Sequence, residues 1–427
     1  MSGEIEYKAR IADGLLSRKL RSSGAVVIEG AKWCGKTSTA QQQSRSEALL
    51  SDPAQSDDLM RMAEIDAGLL LEGSSPRLID EWQLSPKLWD AVRHAVDRRQ
   101  KTGQFILTGS AVPADYQVIR HSGTGRMSWL TMRPMTLWES GDSSGKVSLR
   151  GLFEQGYEAS CVGDDEGLER MAYLVCRGGW PMVIHLDEAS SLDIAFNYVD
   201  AIVRSDIRSV DGVSRDAGRV ERVMRAYSRA QGSQTSSRRL LDDIRSDDSS
   251  CSENTLFAYL SALRKIFVIE DMPAWNPNLR SRTAIRSAET RYFVDPSIAT
   301  ASLGLGVGDL MGDLNTLGLL FETLCIRDLR VYAQAIDGNV YHYRDKNGLE
   351  CDAVVHLRNG RYGLVEIKLG GERLVEEAAA SLRTLAGKID TTRMAGPSFL
   401  MVLTAKGKYA YTRRDGVKVV PVGMLRD

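Results

Sequence analysis

At 427 residues, with 43% apolar and 26% charged residues, the chain has globular composition and the length of roughly two to three domains. Lys plus Arg total 55 against 56 Asp plus Glu, so whole-chain charge points to no polyanion partner and a basic groove would have to be local. Six cysteines without a C-x-x-C and five scattered histidines give neither a disulfide framework nor a zinc site; the N-terminus has no apolar signal core, and no apolar run approaches the ~18 residues that span a bilayer. These features predict a cytoplasmic protein with reduced thiols and no membrane partner.

The first predicted elements surround residues 30–37. "AVVIEG" at 25–30 is a β-branched strand ending in glycine, "GAKWCGKT" follows it, and "STAQQQSRSEALL" after Thr37 has helix-forming composition. Strand, glycine-rich turn and helix in that order aim backbone N–H groups at one spot, where they hold phosphate oxygens. Gly30, Ala31, Lys32, Trp33, Cys34, Gly35, Lys36, Thr37 and Ser38 form this predicted nucleotide loop, with Lys36 reaching the β and γ phosphates and the Thr37 hydroxyl on Mg²⁺. Further on, "PRLIDEWQ" at 76–83 sets Asp80 at the end of a second apolar strand, to orient Mg²⁺ through its water shell. Glu81 beside it would polarise a water for attack on the γ phosphate. "QFILTGS" at 104–110 is the next strand; Ser110 or, in another register, Thr108 would hydrogen-bond that water or the phosphate. Arg126 precedes a further apolar strand, either as a guanidinium reaching a neighbouring subunit's nucleotide in a homo-oligomer or as the cap of a helix end.

The run "GAKWCGKT", "LIDEWQ", "LTGS", "GTGR" and "CRGGWPMVI" resembles the AAA ATPases of a bacterial and archaeal family that carries a C-terminal domain of unknown function. The resemblance extends over nearly the whole chain and implies ATP with Mg²⁺ as cofactors and ATP hydrolysis as the activity. In relatives of the signal-transduction ATPase type a Gly-x-Pro turn in the lid contacts the adenine, and Gly179-Trp180-Pro181 stands at the matching place, which assigns Pro181 to nucleotide binding.

Residues 151–217 read as a helical lid with Gly and Ser breaks, closing in the polar linker "RSDIRSVDGVSRDAGR". "RVERVMRAYSRA", "SSRRLLDDIRS" and "SENTLFAYLSALRKI" are then three amphipathic helices, the last opened by Ser250-Cys251-Ser252-Glu253 at capping-box spacing, and "IFVIEDM" reads as a strand. Three helices and a strand suggest a winged helix. Between 219 and 271 there are nine Arg or Lys against eight Asp or Glu, so this unit is either a DNA contact without a basic stripe or a structural bridge between ATPase and tail.

From Gly338 the period changes to two. "NVYHYR", "LECDAVVHL" and "RYGLVEIKL", separated by "DKNG" and "RNG", predict a three-stranded antiparallel meander. A three-residue loop at 358–360 sets Asp352 opposite Glu366 and Glu350 opposite Lys368; a two-residue Asn359-Gly360 turn would part the acids. Facing acids repel, so Lys368 or Mg²⁺ would have to compensate them. Before the strands, "LGLLFETLCIRDLRVY" reads as a helix apolar nearly all round, with Glu322 among Leu319, Ile326 and Leu329. Glu on a helix, Asp on the second strand and Glu-x-Lys on the third resemble the restriction-endonuclease-like, PD-(D/E)XK fold, with Cys351 where the family has proline. That resemblance implies Asp352 and Glu366 as metal ligands, Glu322 as an additional acid, and Lys368 as the base or water-orienting group.

The expected architecture is α/β: a P-loop NTPase core with a parallel sheet (1–150), a helical lid and linker (151–217), a winged-helix-like unit (218–275) and a restriction-endonuclease-like C-terminal domain (276–427). The expected function is an Mg-ATP ATPase coupled to a nuclease-like tail acting on DNA or RNA. The alternative is an ATP-controlled switch or scaffold with a catalytically silent tail.

Overall fold

The computed structural model describes residues 6–111, 123–165, 167–207, 212–276 and 288–427. The chain divides into two compact units: Met1–Pro134 with Ile202–Asp216 and Ser261–Val268, and Met135–Ala201 with Ala217–Leu260 and Ile269–Asp427. The boundary expected at 150 thus falls at 134. Residues 135–150 fold with the tail because Val147–Ser148 pairs with Leu425–Arg426 and the Leu137 N–H donates to Asp328.

In the first unit, β1 (Ala25–Glu29), β2 (Ser46–Leu49), β3 (Arg77–Asp80), β4 (Phe105–Gly109) and β5 (Met127–Thr131) form a parallel sheet in the order β2-β3-β4-β1-β5. The central strands β1 and β4 are near-continuous buried runs because both of their faces are covered, whereas the edge strands β2 and β5 keep exposed positions. Val26, Ile28, Leu78 and Ile106 pack with Leu15, Leu16 and Leu20 of the helix Ile11–Ser22; Val27, Ile79, Phe105 and Leu107 pack with Leu88, Trp89 and Val92 of the helix Lys87–Arg99. The strand order reverses around β1, and open α/β sheets take ligands at the carboxyl ends of strands at such a point.

The second unit contains β6 (Val147–Ser148), β7 (Cys161–Val162), β8 (Gly338–Arg344), β9 (Glu350–Leu357), β10 (Tyr362–Lys368), β11 (Phe399–Thr404), β12 (Tyr409–Thr412), β13 (Lys418–Pro421) and β14 (Leu425–Arg426). Seven of them form one sheet, ordered β7-β12-β13-β11-β10-β9-β8. β8, β9 and β10 are the expected antiparallel meander. The parallel pairs β10–β11 and β11–β13, the helix Glu372–Lys388 and the remote β7 extend it beyond that expectation. Val375, Ala378, Leu382 and Leu385 of that helix pack with Val354, Tyr362, Leu364 and Val402 of the sheet.

The three central helices lie at Ala217–Arg229, Ser237–Arg245 and Glu253–Lys265. The third is capped by Ser252, whose Oγ accepts the Thr255 N–H at 3.1 Å, while Ser250 is engaged with Asp248. "IFVIEDM" is not a strand: Phe267 sits at φ 58°, in the left-handed region, and only the isolated bridges Ile269–Phe293 and Met272–Thr290 follow. All six cysteines are free thiols. Among the described residues no helix is long and apolar enough to cross a membrane.

Candidate functional site

The end of β1 enters the glycine turn through Gly30, at φ 153°, where a Cβ would stand 2.0 Å from the Met132 carbonyl; only glycine lets the turn approach the end of β5. Lys36 is buried, and its Nζ donates to the carbonyls of Gly30 at 3.0 Å and Ala31 at 2.8 Å. Cys34 packs beneath the turn, while Trp33, at φ 63°, and Ser38 are exposed. Lys32 Nζ pairs with Asp206 Oδ1 at 2.6 Å, on a single turn of π-helix, Ile202–Asp206, inside the stretch expected to be a polar linker.

β3 and β4 pair with Asp80 opposite Thr108. Asp80 Oδ1 accepts from Thr37 Oγ1 at 2.7 Å and from Thr108 Oγ1 at 2.5 Å. Glu81 follows in the left-handed region, φ 55°, which turns it out of the strand; its Oε2 accepts from Ser110 Oγ at 2.9 Å and from the Gln83 amide. Ser110 and Thr108, weighed as alternatives, therefore serve different acids. The turn is anchored by Trp82, packed at a tilt of 37° on Trp89 with ring centroids 5.0 Å apart, and by Gly109, whose missing Cβ leaves room for Gln83 and the Trp82 indole. Gln83 Oε1 is buried without a hydrogen-bond partner among the described residues. A hydroxyl and a carboxylate side by side at the foot of a phosphate loop fit a hydrated Mg²⁺ and its nucleotide. Arg126 Nε pairs with Asp97 Oδ1 at 2.8 Å, on the last turn of the helix Lys87–Arg99, a side-chain ion pair at the surface.

Pro181 belongs to the second unit, at the first position of the 3-10 helix Pro181–His185. The preceding turn is pinned from below. Gly179 N–H donates to Asp295 Oδ2 at 3.0 Å and the Trp180 indole to Ser297 at 3.0 Å. Asp295 and Asp328 flank the buried Arg327 at 2.8 and 2.7 Å.

In the tail, β10 meets β9 in the register of a three-residue loop, with Leu357 N–H donating to the Arg361 carbonyl and Tyr362 opposite His356. The ladder runs to Val365 opposite Ala353 and there a side chain replaces it: Asp352 Oδ2 accepts the Ile367 N–H at 2.7 Å. Lys368 Nζ lies 3.0 Å from Asp352 Oδ2 and 2.7 Å from Glu366 Oε2. Glu322, on the helix Leu314–Ala335, accepts from the Tyr292 hydroxyl, and a cavity of about 260 Å³ opens beside it and Asp352, walled by Gln234, Tyr292, His342 and Arg344. Leu319, expected to pack beside Glu322, is exposed.

Burial, then repulsion from Asp352, pushes the carboxyl of Glu322 up to about 8 and that of Glu366 likewise to about 8. Burial disfavours the Lys368 ammonium, but Asp352 and Glu366 outweigh it and raise its pKa. Burial drives His342 down, so it stays neutral, with Nε2 on the Ala288 carbonyl and Nδ1 beside the Gln234 amide. Among the described residues no group of three or more His, Cys, Asp and Glu side chains gathers closely enough to hold a metal. The expected set of Asp352, Glu366 and Glu322 is thus not gathered as a metal site among the described residues; the Lys368 ammonium lies against Asp352 and Glu366 instead.

Residues 22–140 match a family model described as AAA domain, residues 168–308 a domain of unknown function (DUF8612), and residues 317–425 another domain of unknown function (DUF4143). Over residues 22–140 the chain is therefore similar to an AAA domain, and the glycine turn at 30–37 lies within that stretch. The uncharacterized protein Rv2008c of Mycobacterium tuberculosis and the uncharacterized protein Mb2031c of Mycobacterium bovis are each 24% identical over 419 residues, 97% of this chain and 84% of theirs. Among solved structures, the Walker-type ATPase PABY2304 of Pyrococcus abyssi aligns at 14% identity and a TM-score of 0.43, over 68% of this chain and 94% of that one. The signal transduction ATPase with numerous domains PH0952 of Pyrococcus horikoshii, which has a tetratricopeptide repeat sensor, aligns at 13% identity and a TM-score of 0.25, over 78% of this chain and 49% of that one.

Proposed function

We propose that the first unit binds Mg-ATP and hydrolyses its terminal phosphoanhydride. The observation that carries this is the separation of two acids: Asp80 is held by Thr37 and Thr108, while Glu81, one residue on, is turned away and held by Ser110 and Gln83. Lys36 exchanges its loop carbonyls for phosphate oxygens when nucleotide enters. Thr37 and Asp80 would hold Mg²⁺, which would supply charge neutralisation of the phosphates when bound. Glu81 takes a proton from water as the water oxygen bonds to the γ phosphorus and the bond to the β–γ bridging oxygen breaks, releasing ADP and phosphate. The test is phosphate release and ATP binding by the purified full chain. Lys36→Ala should lose both; a wild-type chain that does not bind ATP sinks the reading.

A second reading concerns the tail, and Lys368 lying within hydrogen-bond reach of both strand acids favours it. By its resemblance to the restriction-endonuclease-like fold, the tail would act on DNA or RNA, with the helices at 217–265 as a winged-helix-like contact and Lys368 orienting the attacking water. Plasmid DNA and single-stranded RNA incubated with the full chain, ATP and Mg²⁺ or Mn²⁺ decide it. Cleavage lost in Lys368→Ala supports the nuclease; intact substrates leave the tail as a partner switched by ATP.

A further inference from the structure

We propose that Arg10 is a positioning residue for the phosphate loop and acts through the Cys34–Gly35 peptide. The inference rests on the reading of residues 30–37 as the nucleotide site. Arg10 immediately precedes the helix Ile11–Ser22 and is buried, 7% exposed. Its Nη1 donates to the Cys34 carbonyl at 2.8 Å and its Nη2 to the Arg133 carbonyl at 2.8 Å. One guanidinium therefore joins the loop to the segment that leaves β5.

A peptide group is planar and trans, so its C=O and N–H point in opposite directions. Holding the Cys34 carbonyl on the Arg10 side turns the Gly35 N–H the other way, toward the interior of the loop, where Lys36 Nζ reaches the Gly30 and Ala31 carbonyls. Gly35 sits at φ 98°, a conformation that side chains resist and that a free glycine visits only as one of several. An outside grip removes that freedom before nucleotide arrives, so the ordering cost is not taken from binding.

The grip is itself anchored. Arg10 N–H donates to Asp13 Oδ2 at 2.8 Å, and the Tyr7 hydroxyl donates to Asp13 Oδ1 at 2.7 Å while pairing with Thr39 Oγ1 at 2.9 Å. Burial raises the Tyr7 phenol above its ordinary pKa, keeping it a neutral donor. The planar fork of arginine suits two carbonyls at once, which a lysine ammonium on a flexible stem does not reproduce.

Loop N–H groups cradle the α and β phosphates, so the effect of Arg10 should follow those phosphates and not the base. The test uses the full chain as wild type, Arg10→Ala and Arg10→Lys, with calorimetric titration of ADP, ATP and AMP, turnover at saturating ATP, and melting without nucleotide. Arg10→Ala should weaken ADP and ATP by about tenfold or more, as expected for losing a charged hydrogen bond, with AMP, which lacks the β phosphate, weakened less and saturated turnover within about threefold. Millimolar methylguanidinium should restore ADP affinity to Arg10→Ala and leave Lys36→Ala unrescued. Wild-type ADP affinity in Arg10→Ala overturns the proposal, as does a loss that methylguanidinium fails to restore and that AMP shares in full. If Arg10→Ala does not fold, Arg10→Lys decides: unchanged melting with weakened ADP supports it, and unchanged ADP affinity overturns it. A wild-type chain that binds no nucleotide removes the site itself, and that outcome is read before any variant.

Discussion

The Thr108 hydroxyl donates to Asp80 across neighbouring strands, and the oxygen it reaches is the one that also accepts from Thr37. Asp80 is thereby fixed from the sheet side by a fully buried side chain. Asp80→Asn, which offers a weaker acceptor to both hydroxyls and no charge to Mg²⁺, should raise the Mg²⁺ concentration for half-maximal ATP hydrolysis by about tenfold or more. Thr108→Val, which removes only the buried donor, should raise it by less. Phosphate release against Mg²⁺ concentration reads both, and equal Mg²⁺ dependence in wild type and Asp80→Asn removes Asp80 from the metal.

Glu81 depends on a different set of partners, so its loss should look different. Glu81→Gln should keep ATP binding and slow hydrolysis by roughly two orders of magnitude, the usual size of a lost general base. Ser110→Ala leaves the carboxylate but frees it on one side, and about a tenfold decline is expected. Single-turnover phosphate release with saturating enzyme separates chemistry from binding. Normal turnover in Glu81→Gln would take the residue out of the reaction.

The P-loop and the two acids were legible because their chemistry fixes residue type and spacing over a few residues of chain, and strand periodicity located Ser110 and Thr108 to within one register. What the sequence did not disclose is long-range. Arg10 reaches Cys34 and Arg133, Lys32 reaches Asp206, and Asp295 meets Arg327, and none of these pairs leaves a local pattern. The register of β9 against β10 followed from the loop length, but the break in the ladder did not: nothing local states that the Asp352 carboxylate takes the Ile367 N–H. "IFVIEDM" misled because apolar composition suits a strand, while the left-handed Phe267 breaks it.

The tail should become less stable as pH rises. Glu322 and Glu366 have folded-state values of about 8 against an ordinary 4.5, so between these limits the folded chain holds protons the unfolded chain has released. Stability then falls with rising pH across that window, by up to about 1.4 kcal/mol per pH unit for each proton retained. Glu322→Gln keeps an acceptor for the Tyr292 hydroxyl and removes one titration. Its melting temperature, followed calorimetrically from about pH 5 to about pH 8.5, should decline less steeply than that of the wild type. Parallel slopes would mean that Glu322 is already ionised throughout.

Lys368 lies against both Asp352 and Glu366 and lessens the repulsion that holds the Glu366 proton, so its removal bears on cations. In the metal-free chain Lys368→Ala leaves Asp352 and Glu366, 17% and 6% exposed at their side chains, without their ammonium. The expected cost is ~2–3 kcal/mol, below that of a fully enclosed pair because the lysine is partly solvated. A divalent ion then meets less competition. Millimolar Mn²⁺ should therefore raise the melting temperature of Lys368→Ala by more than it raises that of the wild type, following RT ln(1 + [L]/Kd). Any contribution from the nucleotide site is common to both proteins and cancels in the comparison. Adding Asp352→Ala should abolish the extra shift, since that carboxylate is one of the two left facing each other. Melting with Mn²⁺ and with EDTA, in wild type, Lys368→Ala and the double variant, supplies the three shifts to compare. An equal shift in wild type and Lys368→Ala would mean that the acids only balance a lysine, and the nuclease reading of the tail would fall with it.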